Sequence, residues 1–155
     1  MEDFQGDFHG DFHGAKAAVL MGDRVLVTLR DDFDWIAWPG HWDFVGGERE
    51  AEETPQETLA REAMEEVGLD LSGGEWLWEA RFPSFQFPDR SSWFFVLRLP
   101  ARAARVIRME DEGQGWMLVR PETFLAMPRT IPSLRDRFAQ WLSLDRAAAA
   151  STARG

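Results

Sequence analysis

Residues 46–69, GGEREAEETPQETLAREAMEEVGL, constrain the fold more than any other part of this chain. Thr54 and Glu57 have the spacing of a capping box, in which two side chains satisfy backbone N–H groups at the start of a helix. Pro55 falls at the first helical position, where its missing N–H costs nothing. Gly68 stands where a left-handed C-terminal cap is expected, so the spacing predicts a helix from about Pro55 to Val67. A step of about 100° per residue puts Leu59, Ala60, Ala63, Met64 and Val67 on one side and Arg61, Glu62, Glu65 and Glu66 on the other. Glu62 precedes Glu65 and Glu66 by one helical turn, and like charges so placed cost about 0.2–0.5 kcal/mol per pair. A solvated surface bears that cost easily and a bound cation removes it. Helix geometry alone leaves both readings open.

The rest of the composition narrows the choice. At 155 residues the chain fits a single domain with one core. Its formal charge of -10 argues against duplex nucleic acid as a partner, because that binding depends on many Lys and Arg contacts to phosphate. An anionic substrate needs a cation between itself and these carboxylates, and divalent ions bridge carboxylate to phosphate oxygen. There are no cysteines, which excludes disulfides, thiolate zinc sites and a cysteine nucleophile. No run of about 18 apolar residues is present, and no basic stretch leads into an apolar one at the N-terminus. Neither a membrane partner nor a secretory signal is expected, and a cytoplasmic location follows as the default.

Along the chain, three tetrads, Asp3-Phe4-Gln5-Gly6, Asp7-Phe8-His9-Gly10 and Asp11-Phe12-His13-Gly14, read as a flexible leader over residues 1–14. His9 and His13 are read as inert rather than as metal ligands. The domain proper is expected over residues 15–145, and residues 146–155 as a frayed Ala-rich tail. Ala15 to Met21 and Arg24 to Arg30 read as a hairpin about Gly22-Asp23. Residues 31–40 form an acidic and aromatic loop, followed by a brief extended piece from Trp42 to Val45. Further strands are expected over Glu75 to Phe82, Ser92 to Leu99 and Trp116 to Val119, with helices over Pro121 to Ala126 and Pro132 to Leu144.

Gly47 is followed after five residues by Glu53 and after seven more by Arg61-Glu62-Ala63-Met64-Glu65-Glu66-Val67-Gly68-Leu69. This string resembles the complete signature of the Nudix hydrolases (MutT-like proteins), with Ala63 smaller than the usual aliphatic residue and Val45 where many members carry proline. The resemblance implies an α+β fold, an α/β/α sandwich with a central mixed β-sheet, in which the signature forms a loop, a helix and a loop. It implies Mg²⁺ or Mn²⁺ as cofactor, hard ions that prefer carboxylate oxygen. Glu65 and Glu66 become the principal ligands, with Glu62 and the carbonyl of Gly46 contributing. Arg61 orients neighbouring carboxylates with Glu53 as its partner. The general base is a glutamate of the signature or an acidic residue in a later loop, where Glu110, Asp111 and Glu112 are the candidates and Glu112 is favoured.

The expected reaction is attack of water at phosphorus in a diphosphate linkage of a small nucleotide-like substrate: a nucleoside triphosphate, a nucleotide sugar or an ADP-ribose-like molecule. Pro83 follows Leu69 one position short of the spacing associated with ADP-ribose hydrolases, and the lack of Tyr gives no support to a dinucleoside polyphosphate. Trp35, Trp38, Trp42, Phe85 and Phe87 are candidates for stacking a base, and core packing is the competing reading for each. The alternative function is a non-catalytic Nudix-fold domain that binds nucleotides or regulates. A homodimer is compatible with either.

Overall fold

A computed structural model describes residues 11–109 and 112–154 of the chain. Among these residues are seven strands: β1 (Phe12–Met21), β2 (Arg24–Leu29), β3 (Trp42–Asp43), β4 (Val45–Glu48), β5 (Glu75–Pro83), β6 (Ser91–Leu99) and β7 (Gly115–Val119). The helices are α1 (Pro55–Val67), α2 (Pro121–Ala126) and α3 (Pro132–Arg154), with a 3₁₀ turn over Ala101–Val106 that the sequence reading did not anticipate. The strands form one sheet in the order β3-β2-β1-β6-β5, with β4 added to β1 and β7 to β2. β1 and β6 run parallel from Phe12↔Ser91 to Met21↔Leu99, and the other pairings are antiparallel, so the sheet is mixed.

Alternation along the two central strands builds a core on each face, because successive side chains of a strand point to opposite sides. Ala15, Ala17, Val19 and Met21 of β1 join Trp93, Phe95 and Leu97 of β6 beneath Leu59, Ala63 and Val67 of α1. Ala18 and Leu20 join Phe94 and Val96 on the other face, against Phe124 of α2 and Leu134, Phe138 and Trp141 of α3. The sheet is thus covered by helix on both sides, as the α/β/α reading expected. α1 has the bounds that its caps predicted. Thr54 and Glu57 make the reciprocal capping box, and Gly68 closes the helix at φ 71°.

Both ends of the chain differ from the sequence reading. Residues 11–14 are not a leader, because β1 begins at Phe12, which is 1% exposed under the Arg49 guanidinium, and Asp11 pairs with Arg90. A tetrad repeat gave no sign that its last copy enters a sheet. The first two tetrads and His9 lie outside the described residues. At the other end α3 continues past Leu144 to Arg154 as helix, although its side chains from Ser143 to Thr152 are exposed. Alanine's high helix propensity carries it on without packing. Among the described residues no helix is long and apolar enough to cross a membrane.

Candidate active site

Gly46 and Gly47 bring strand β4 against β1 and beneath Glu62 and Glu66 in the second half of α1. Gly46 has φ 134°, and a Cβ there would overlap the Ala15 carbonyl and lie 2.7 Å from Lys16 Cα. Only glycine permits that approach. The Gly46 N–H donates to Glu66 Oε1 at 2.9 Å, tying the loop to the acidic face of α1.

On that face Arg61 organises the carboxylates. Its guanidinium meets Glu53 twice, Nε to Oε2 at 2.7 Å and Nη2 to Oε1 at 3.2 Å, and meets Glu62 at 3.2 Å, Glu65 at 3.1 Å and Glu50 at 3.4 Å. Nη2 also donates to the Glu48 carbonyl at 2.8 Å. The Arg61 hydrogen bond holds the Glu53 carboxyl below its usual range, and Glu53 holds Arg61 firmly protonated. Glu66 stands apart from this cluster. Burial pushes its carboxyl up to about 7, against the opposing pull of Lys16 and of the Gly46 N–H. Burial also raises Glu62, with Arg61 opposing.

A cavity of about 550 Å³ opens beside this face, lined among others by Lys16, Gly46, Gly47, Glu62, Glu66 and Glu112. A smaller hollow of about 110 Å³ shares Arg30, Asp43, Glu66 and Glu112 with it. The structure therefore gathers Glu62, Glu66, Gly46 and Glu112 at one cavity and leaves Glu53, Arg61 and Glu65 off its wall. Glu110 and Asp111 lie outside the described residues. Two hydrogen bonds of its neighbours place Glu112: the Gly113 backbone N–H donates to Asp31 Oδ2 at 3.0 Å, and the Gln114 side-chain Nε2 donates to the Arg30 carbonyl at 2.8 Å.

Two contacts bear on the residues expected to hold the metal. Among the described residues no three His, Asp or Glu side chains are gathered at one point: Arg61 donates to Glu62 and Glu65, while Glu66 accepts from the Gly46 amide. The Gly46 carbonyl, expected as a ligand, accepts from Lys16 Nζ at 3.2 Å and keeps its second lone pair. The donors still suit a hard divalent cation. Glu66 is a half-buried carboxylate whose pKa is raised chiefly by desolvation, and Glu62 beside it is raised for the same reason, so a cation at this face would relieve both.

The sequence reading missed an inner cluster. Asp43, 2% exposed, takes Lys16 at 3.0 Å and Arg30 at 3.1 Å on one oxygen, and its own neighbour's N–H, that of Phe44, on the other at 2.7 Å. The available signal was a charged residue inside each of two apolar segments, since a buried charge needs a partner. His13, assigned to the leader, lines the cavity too; its Nδ1 lies 3.2 Å from Ser84 Oγ and burial lowers its pKa. Of the aromatic candidates, Trp38 and Phe85 line the cavity with ring centroids 5.5 Å apart. Trp38 has φ 50°, a left-handed conformation uncommon for a bulky residue. Trp35 is 77% exposed and stacks on Phe33, Trp42 packs against the α3-side core, and Phe87 meets the His13 ring edge.

Two expected results follow from this geometry. A Cβ at Gly47 would lie 2.5 Å from the Glu62 carboxyl carbon, the far end of a flexible side chain. Gly47→Ala is expected to fold normally but push Glu62 aside, weakening Mn²⁺ binding about tenfold by calorimetric titration. Equal affinity would show that Glu62 takes no part in holding an ion. The second result concerns pH. Because the Glu66 carboxyl titrates near 7 when folded and at 4.5 when unfolded, the native state holds its proton more tightly. Stability from this group is present below 4.5 and is lost as pH rises to 7, by roughly 2–3 kcal/mol. His13, lowered by burial, acts in the opposite sense below 6.5. Denaturant melts of metal-free protein at pH 5 and pH 7.5, read against Glu66→Gln, isolate the Glu66 contribution, and identical pH slopes in the two proteins would refute it.

The family model described as NUDIX domain matches residues 11–147. Over 33 residues the chain is 48% identical to the 8-oxo-dGTP diphosphatase of Proteus vulgaris, a stretch covering 21% of this chain and 30% of that protein. The chain therefore aligns with less than a third of that relative's length. Among solved structures, the MutT protein from Methanosarcina mazei Go1 superposes with a TM-score of 0.69 at 20% identity, covering 87% of this chain and 96% of that one. A C. elegans Ap4A hydrolase gives 0.65 at 16% identity, covering 84% and 98%. At these identities the likeness to solved structures is one of fold.

Proposed function

This chain belongs to the Nudix family, and from that premise we propose that it is a divalent-metal-dependent pyrophosphohydrolase that cleaves a diphosphate linkage in a nucleoside diphosphate derivative. The observation that carries the reading is that Glu62, Glu66 and Glu112 line one cavity together with the cations Lys16 and Arg30 and the aromatic rings of Trp38 and Phe85. Glu62, Glu65 and Glu66 are the residues to hold Mg²⁺ or Mn²⁺. Such an ion, when bound, supplies neutralisation of the phosphate oxygens and activation of water.

The chain's own groups divide the remaining work. Arg61 fixes Glu62 and Glu65 in place through the contacts given above, and Glu53 fixes Arg61. Glu112, exposed at the cavity and tied through Gly113 to Asp31, is the base that takes the proton of the attacking water. Trp38 and Phe85 offer π-faces to a base, a contact worth about 1–3 kcal/mol. A cavity of about 550 Å³ suits a single nucleotide with its linked group.

Release of nucleotide and phosphate across nucleoside triphosphates, nucleotide sugars and ADP-ribose, with Mg²⁺ or Mn²⁺ and in ¹⁸O-labelled water, tests the proposal. The expected products are a nucleoside monophosphate and a phosphorylated partner with label on one product phosphate. Label found only on a carbon-bound hydroxyl would rule out attack at phosphorus. Tight nucleotide binding without release would favour the binding-domain alternative.

A further inference from the structure

Lys16, Arg30 and Arg137 bring positive charge to the cavity wall, and the first two share Asp43 at 3.0 and 3.1 Å. Arg137, on α3, makes no ion pair among the described residues, although the chain has 27 acidic side chains against 17 basic ones. Its guanidinium is nevertheless held in place. It lies 4.5 Å from the centroid of the Phe82 ring, and Nη2 donates to the Pro83 carbonyl at 3.2 Å. A guanidinium has five N–H groups, so most of its donors are left over. Burial lowers its pKa, and no neighbouring carboxylate opposes that shift. A half-buried cation without a counter-charge costs free energy in the free protein and recovers it when an anion arrives.

The sheet sets how far this charge stands from the glutamates. Phe82, Ser92, Gly14 and Glu48 are paired in one row across β5, β6, β1 and β4. Three strand spacings of about 4.8 Å make that row roughly 14 Å long. Arg137 sits over Phe82 at the β5 end, while Glu62 meets Gly47 beside the β4 end. Around Arg137 the cavity is lined by hydroxyls rather than acids: Ser84 follows Pro83, Ser92 pairs with Phe82, and Ser133 lies one helical turn before Arg137. A diphosphate bound at the glutamates is too short to reach this end, and so is the third phosphate of a nucleoside triphosphate. We infer that Arg137 anchors a second anion subsite, so that the substrate is a nucleoside diphosphate derivative carrying a further anionic group, phosphate or carboxylate, away from the diphosphate that is cleaved. The planar fork takes two oxygens of either anion side by side. The inference rests on the reading of the glutamate end as the diphosphate site and names the substrate class that fits the other end.

Two matched pairs of probes test it: NADP⁺ against NAD⁺, which differ by one phosphate, and UDP-glucuronic acid against UDP-glucose, which differ by one carboxylate. In each pair the added anion lies away from the diphosphate, so the pairs tell the two kinds of anion apart. With Mg²⁺ and the full-length protein, kcat/KM is read for a pair that is hydrolysed, and Kd by calorimetry for a pair that is only bound. The anionic member of at least one pair is expected to be favoured about tenfold or more. Equal treatment of both members in both pairs overturns the inference, as does failure to engage any of the four, and neither result needs a variant. Arg137→Gln is expected to bring the ratio close to one, and Arg137→Lys to restore part of it, since a point charge replaces the fork. Circular dichroism checks that both variants fold. An arginine that merely braces α3 against β5 would, when replaced, lower both members of a pair alike and leave the wild-type ratio, which also overturns the inference. An anion preference that vanishes in Arg137→Gln, without turnover of any substrate, would sink the proposed function and leave the subsite standing. Hydrolysis indifferent to the second anion would do the reverse.

Discussion

Glu66→Gln is expected to lower kcat by on the order of a thousandfold while leaving the protein folded and, at pH 8, slightly more stable. The amide oxygen still accepts from the Gly46 N–H, which lies 2.9 Å from Glu66 Oε1, so the tie between loop and helix survives. What disappears is a charge whose burial raises its pKa to about 7 and which the native state holds at a cost. Removing that charge relieves the folded protein and deprives the ion of a hard ligand, so stability and activity move in opposite directions. Glu65→Gln is expected to lower activity without the gain in stability, since its side chain is 59% exposed and already paired with Arg61. Steady-state kinetics at saturating Mg²⁺ and melts at pH 8 read both quantities. Turnover like wild type in Glu66→Gln would remove Glu66 from the reaction, and collapse of the fold would mean that the loop depends on its charge.

The largest stability loss is expected at Arg61. Replacing it by Ala removes contacts to Glu50, Glu53, Glu62 and Glu65 and the donor to the Glu48 carbonyl, and leaves several carboxylates facing one another. The guanidinium and its partners Glu53 and Glu62 are each only 19% exposed, so solvent screens little of the loss. Breaking one partner of a buried ion pair costs about 3–5 kcal/mol, and this partly exposed cluster is expected to lose about 3. For a chain of this length that lowers Tm by roughly 6–12 °C. Arg61→Lys is expected to recover less than half of it, because a point charge cannot engage both oxygens of Glu53 and the Glu48 carbonyl together. A Tm within two degrees of wild type for Arg61→Ala, measured calorimetrically without metal, would show the cluster to be energetically idle.

Local chemistry made much of this protein legible. The bounds of α1 follow from Thr54, Pro55, Glu57 and Gly68, residues that act within one turn of themselves, and the structure repeats them. The same holds for the hairpin about Gly22-Asp23 and for the alternating strands. What escaped depends on partners distant in sequence. Phe12 looks like a repeat unit until Arg49 and the α1-side core are placed around it. Lys16 looks like a surface break in an apolar run until Asp43 arrives on another strand. The Arg61 contacts follow from helix spacing for Glu65, but its donor to the Glu48 carbonyl does not. The cavity is the least legible feature, since its wall draws on β1, α1, α3 and the loops carrying Trp38, Phe85 and Glu112.

The parallel pairing of β1 with β6 carries a consequence for the order of events during synthesis. Ala17 at the centre of β1 has Phe95 as its neighbour, and the register runs to Leu99. All of α1, with its glutamates, therefore leaves the ribosome before its sheet has a second central strand to complete the core beneath it. Contacts between residues so far apart in sequence close late and set the pace of folding. Until then the apolar stripe of α1 and the exposed edges of the early hairpin stand open to other chains. The nascent protein is expected to be most prone to aggregate while β6 is still unmade, and ribosome-bound chains halted before Ser91 should remain protease-sensitive whereas those released past Leu142 become resistant.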